Sequence, residues 1–187
     1  MSRLRTKRQI NYILRQIGSG GPGGIKVSAH TFSHALELTA GVPAHLSGQF
    51  LAELRRQHLV EFTRSEDSIQ LQLSVKGIHR LQLSEIHDLA ITAPDTWDGY
   101  WRIVLFDLPS HYTHQRYLLT SQLKRLGFVM MHDSTWYHPY PCHEAVTRLI
   151  SYCSISRYVT TGEITNLDPA TSRKLLLRFP QLTALEK

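Results

Sequence analysis

The chain has 187 residues, enough for one large domain or two of roughly 90 residues each. At 42% hydrophobic and 19% charged it has the composition of a globular protein, and no apolar run approaches the roughly 20 residues of a membrane-crossing helix. The basic N-terminus is not followed by the apolar segment of a secretory leader, and Cys142 and Cys153 form neither a zinc spacing nor a disulfide framework, so a cytoplasmic location is expected and no membrane association. The net charge is +6 with eleven histidines taken as neutral, a balance compatible with nucleic acid. The excess is spread evenly, 11 Lys/Arg against 8 Asp/Glu in residues 1–96 and 10 against 7 in 97–187.

In chain order, Arg3, Arg5, Lys7 and Arg8 form a basic cluster with no acid among them. They read either as a solvated N-terminal arm or as one that contacts phosphate. Ile10, Ile13, Leu14 and Ile17 follow with the i, i+3, i+4, i+7 spacing of an amphipathic helix over residues 5–17. Residues 18–24 hold five glycines and a proline, which predicts a mobile connector; they lack the pattern of a phosphate-cradling loop.

The segment TFSHALELTAGVPAHLSGQFLAELRRQHLV, residues 31–60, predicts two helices around a tight turn. Phe32, Leu36 and Leu38 give the first helix its apolar side. Gly41 suits a positive φ, and Pro43 suits the start of the second helix, whose buried face is Leu46, Phe50, Leu51 and Leu54. This is the helix-turn-helix pattern, although an ordinary helical hairpin has the same spacing. Leu59–Thr63 and Ser68–Ser74 then alternate as two strands around a polar turn at residues 64–67, which is the order of a winged helix. A further helix is predicted over residues 75–90.

Ala44, His45, Ser47 and Gln49 are not needed for packing and lie near the N-terminus of the second helix, the end that enters the major groove in this motif. Gln reads adenine, and Ser and His contact bases or phosphates. Arg55 and Arg56, a turn or two later, and Arg64, at the tip of the wing, are placed for phosphate.

The second half opens on TWDGYWRIVLFDLP, residues 96–109. Ile103 to Phe106 is a continuous apolar run, the pattern of a strand covered on both faces, and Pro109 ends it. Thereafter the pattern predicts a helix over 111–126 closed by Gly127, strands at 128–131 and 135–138, a helix over 142–153, a strand at 157–164 and a short helix over 169–179. The expected class is α+β: an N-terminal winged helix-turn-helix domain over residues 1–92, then a ferredoxin-like β-α-β-β-α-β domain over 93–187. Asp107 closes the first strand of that domain. It reads as a turn-capping carboxylate or as a metal ligand paired with its copy across a dimer. His111 and His114 read as surface histidines. No nucleophile elbow, zinc-protease or P-loop motif occurs, and no cofactor is expected.

The motifs WDGYWRIVLFDLP, LKRLGF (123–128) and STWYHPYPC (134–142) resemble the PaaX family of transcriptional repressors, and FLAELRRQHLVEF with SVKGIHRL resembles its winged helix and trailing helix. The resemblance spans roughly residues 35–165. It implies a homodimer that binds double-stranded operator DNA and represses transcription. It also implies a middle domain similar to the small CRISPR-adaptation nuclease, in which the acid at the position of Asp107 is the proposed metal ligand. Those nucleases often carry another acid just beyond, where this chain has Leu108-Pro109-Ser110. The longer repressors carry a further C-terminal domain, whereas this sequence stops at Lys187. Some respond to an aryl-coenzyme A thioester, but no residue set here matches one, so any small-molecule effector is unidentified. The expected function is a sequence-specific DNA-binding regulator rather than an enzyme. The alternatives are a metal-dependent nuclease acting through paired Asp107 and a non-catalytic interaction module on nucleic acid.

Overall fold

A computed structural model describes residues 3–65 and 68–182, with the backbone alone for residues 3–6, 29 and 39. The chain is mixed α+β, with seven α-helices and two antiparallel sheets among the described residues. It divides into two compact units, residues 1–85 and 86–187. The division falls inside a helix because Ile86 already belongs to the second core, whereas the sequence pattern put the boundary at 92/93, after that helix.

The first unit starts with α1 (Arg3–Gly18), so the basic cluster is helical rather than an extended arm. Its stripe of Ile10, Ile13, Leu14 and Ile17 is buried. The expected mobile connector is instead pinned. A short 3₁₀ turn over Gly21–Gly23 leads into β1 (Ile25–Val27), which pairs with β3 (Ile69–Leu73), and the Gly23 carbonyl accepts from Gln70 and Gln72. Gly24 is required there. It has φ +69°, and a Cβ would sit 1.9 Å from the Leu71 carbonyl oxygen.

Helix α2 (Ala29–Ala40) is capped by Ser28, whose hydroxyl accepts from the Thr31 amide, and ends at Gly41 with φ 60°. Phe32 and Leu36 are buried as expected, but Leu38 is 72% exposed. Two residues beyond Leu36, it lies on the opposite side of the helix. Helix α3 (Ser47–Arg56) buries Leu51 and Leu54. Its chain then reverses at His58, with φ 56°, and the Leu59 amide donates back to the Leu54 carbonyl. β2 (Val60–Arg64) pairs with β3 in register Val60↔Leu73 to Arg64↔Ile69, and the sheet order is β1-β3-β2. Phe32, Leu36, Leu51, Leu54, Leu59 and Leu71 pack with the α1 stripe into one core.

At the foot of the hairpin, α4 (Val75–Asp88) begins against the turn that follows α3. The Ser74 amide donates to the Leu59 carbonyl, and the Ser74 hydroxyl donates to the His58 carbonyl at 2.5 Å and accepts from the Gly77 amide at 3.0 Å. Gly77 permits this approach, since a Cβ there would lie 2.0 Å from the Leu59 oxygen.

The second unit has the strand-helix-strand-strand-helix-strand order, built from β4 (Trp101–Phe106), α5 (Thr113–Arg125), β5 (Val129–His132), β6 (Thr135–His138), α6 (His143–Cys153) and β7 (Val159–Ile164). The sheet order β5-β6-β4-β7 puts β4 in the middle, and every pairing is antiparallel. This is the ferredoxin-like arrangement. Val104 and Phe106 pack with α5 and α6 on one face, while Trp101 and Ile103 pack under α7 (Pro169–Arg178) on the other. The apolar run of β4 is therefore covered on both sides, as its pattern predicts.

Arg102, 7% exposed, stands in the strand just before that run. Its guanidinium donates to Asp98, to the carbonyls of Tyr100 and Pro139, both at 2.9 Å, and to Glu163 at 3.2 Å. It holds Asp98 well below the usual carboxylate range through these hydrogen bonds. Trp97 donates its indole N–H to the same two carbonyls, so the turn 97–100 is fastened to the Pro139 segment.

Two outcomes follow from these contacts. Gly77→Ala forces a main-chain shift and is expected to destabilise the protein by about 3 kcal/mol, and Ser74→Ala, which removes a helix cap, by about 1 kcal/mol. Urea unfolding of both variants measures this, and a neutral Gly77→Ala contradicts the packing described. His138 is 4% exposed, and burial, then the charge of Arg102, pushes its pKa down against the opposing bonds to main-chain groups. A folded pKa below the unfolded value means that the unfolded chain takes up the proton first. The contribution of His138 is thus complete above its ordinary value of about 6.5 and is lost as pH falls below it. The urea midpoint is expected to fall between pH 7.5 and 5, with a shallower fall in His138→Gln; equal slopes contradict the assignment.

Candidate nucleic-acid interface

Of the residues singled out in the first unit, Ser47, Gln49, Arg55 and Arg56 lie on α3 and Arg64 on the hairpin. Ala44 and His45 are not in α3. They stand exposed in a separate 3₁₀ turn, Ala44–Leu46, which Pro43 precedes. Helix α3 starts only at Ser47. Ser47 is half-buried, and its hydroxyl lies 2.8 Å from that of Ser33 in α2, so it ties the two helices together rather than standing free. Gln49 is exposed, and at Gly48 a Cβ would meet nothing within 4 Å. The accessible polar surface at the start of α3 is therefore His45 and Gln49, with a low backbone at Gly48 between them.

The three arginines differ in how they are held. The Arg55 guanidinium lies 5.2 Å from the centroid of the Phe62 ring on β2. Arg56 donates to both carboxylate oxygens of Glu53, at 2.8 and 2.7 Å, although its side chain is 74% exposed. Gln57 donates to the same carboxylate at 2.5 Å. These hydrogen bonds, that of Arg56 first, hold Glu53 at a pKa of about 2 and keep it ionised. Arg64 is the last residue of β2, exposed and paired in register with Ile69. The adjoining turn residues Glu66 and Asp67 lie outside the described residues. Between α3 and the hairpin runs an open groove of about 760 Å³, with Leu51, Phe62 and Ile69 as its apolar floor and the three arginines on its border.

In the N-terminal cluster, Lys7 and Arg8 are exposed on α1, while the side chains of Arg3 and Arg5 lie outside the described residues. Glu53 escaped the sequence reading. Its i, i+3 spacing to Arg56 is the signal that marks it.

In the second unit, Asp107 is exposed just past the end of β4, with its amide donating to the Tyr158 carbonyl. It does not cap the following helix. Pro109 and a 3₁₀ turn at Ser110–Tyr112 intervene, and α5 begins at Thr113 without a side-chain cap. Beside it, Arg157 donates to the Tyr112 hydroxyl and lies over the Tyr158 ring. His111 and His114 are exposed. Among the described residues no group of three or more His, Cys, Asp or Glu is placed to hold a metal ion. Burial pushes the thiols of Cys142 and Cys153 up to about 11, which leaves them protonated and poorly nucleophilic. No helix among the described residues is long and apolar enough to cross a membrane.

Residues 94–176, from the approach to β4 into α7, match the family model of the PaaX protein central Cas2-like domain. The match lies entirely in the second unit. No curated protein matches the chain.

Proposed function

We propose that the chain is a sequence-specific DNA-binding transcriptional regulator, a dimeric repressor of the PaaX type. In this reading the first unit is a winged helix-turn-helix domain, with α2 and α3 as the helix pair, α3 as the recognition helix and the β2–β3 hairpin as the wing. The observation that carries it is the sheet order β1-β3-β2, in which the strand between α1 and α2 closes a hairpin directly against the helix pair. The exposed start of α3, with His45 and Gln49 beside an uncovered Gly48, offers donors and acceptors to base edges. The match of the second unit to the PaaX central domain supports a regulatory rather than a catalytic role for the whole chain. The second unit serves dimerisation, and two recognition helices on one dimer then match an inverted repeat.

The test is a competition gel shift on double-stranded DNA from upstream of the chain's own gene. Wild type is expected to prefer that DNA over an unrelated duplex, and Gln49→Ala is expected to lose roughly tenfold in specific binding while its non-specific binding is unchanged. Equal affinity of wild type for both duplexes contradicts the reading.

A further inference from the structure

The groove between α3 and the hairpin is bordered by Arg55, Arg56 and Arg64, which are in three different electrostatic situations. Arg56 is bound bidentately by Glu53, and Glu53 is held in turn by Gln57, whose own amide oxygen lies 3.4 Å from Arg80 of α4. Arg55 rests on an aromatic ring, and Arg64 stands exposed on the hairpin. Among the described residues no acid is paired with either.

Resting on the regulator reading above, we propose that this groove seats one sugar–phosphate strand of duplex DNA, gripped by Arg55 from α3 and Arg64 from the hairpin, while Glu53 withholds Arg56 from it. Charge complementarity fixes the occupant. Among the described residues the groove is lined by three arginines and no Asp or Glu, and its floor of Leu51, Phe62 and Ile69 is apolar. A nucleic-acid strand presents the matching alternation of anionic phosphate and apolar deoxyribose. Gly48 and Ala52 keep the α3 side low, with open space where a Cβ at residue 48 would stand. Phe62 is a positioning residue. Its ring holds the guanidinium plane in place, so less side-chain freedom is lost when phosphate binds. Glu53 has the opposite role. It neutralises a cation that would otherwise add a sequence-independent phosphate contact, and so holds non-specific affinity down.

The experiment is fluorescence anisotropy of the full chain on a random-sequence duplex of about three helical turns, over roughly 50 to 200 mM KCl, with the slope of log K against log salt as the readout. Arg55→Ala and Arg64→Ala are each expected to reduce the slope by about 0.9 and weaken binding several-fold. Arg56→Ala is expected to leave the slope unchanged and to weaken binding only slightly, through the carboxylate left unpaired at Glu53. Glu53→Ala, a substitution that keeps helix propensity, is expected to tighten non-specific binding and steepen the slope by about 0.9. Phe62→Leu is expected to weaken binding and Phe62→Tyr to restore it; urea midpoints show whether Phe62→Leu is folded, and Arg55→Ala, at an exposed site, carries the test if it is not. The proposal is overturned if Arg56→Ala reduces the slope as much as Arg55→Ala, or if Arg55→Ala and Arg64→Ala leave it unchanged. Failure of wild type to bind any duplex at low salt sinks the regulator reading instead.

Discussion

The close main-chain contact at the foot of the hairpin sets the geometry on which the first unit depends. The carbonyl of Leu59 receives the amide of Ser74 and occupies the space where Gly77 would carry a Cβ. The Ser74 hydroxyl bridges the turn that follows α3 to the first turn of α4. Because His58 reverses the chain in the left-handed region immediately after α3, the hairpin leaves at an angle fixed by backbone rather than by long side chains. Pre-organisation of that kind lowers the ordering cost of binding, which matters most for a partner recognised through repeated, individually weak phosphate contacts.

The second unit solves a different problem. Its central strand is apolar on both faces, with two helices over one side and α7 over the other, yet it carries a buried arginine at position 102. Taking a guanidinium out of water is costly, and here the cost is offset because each of its nitrogens finds an acceptor. The acceptors come from the turn before β4, from the Pro139 segment and from β7, so a single cation joins three stretches of chain that are distant in sequence. The edge strands β5 and β7 are left as the accessible borders of the sheet, and Met130 on β5 is 48% exposed. The proposed dimerisation has its surface in this unit.

Much of this was legible in the sequence. The stripe Ile10–Ile17 and the alternation Ile69-Gln70-Leu71-Gln72-Leu73 each carry a period that only one type of element satisfies, and the short apolar run ending at Phe106 is marked as a strand by its length and by Pro109 beyond it. What escaped was short or local. β1 has three residues, too few to alternate, and it is held by glycines whose role depends on a carbonyl far along the chain. Leu38 looked like part of an apolar face until helical phase put it on the other side. Among the candidate contacts, sequence pointed to Gln49, Arg55 and Arg64 but could not separate Arg55 from Arg56. Adjacent residues on a helix point 100° apart, and that alone puts one over Phe62 and the other beside Glu53. Asp107 reads from the sequence as a turn-capping carboxylate or a metal ligand; it does not cap α5, because Pro109 and a 3₁₀ turn at Ser110–Tyr112 stand between them.

In the proposed regulator α3 reads base sequence, with the hairpin holding the backbone beside it. The most direct measurement is selection of bound duplexes from a fully randomised pool by the intact chain. Enrichment of an inverted repeat is expected, with half-sites centred about one helical turn apart or a multiple of it. A bound pool with no sequence enrichment would contradict it.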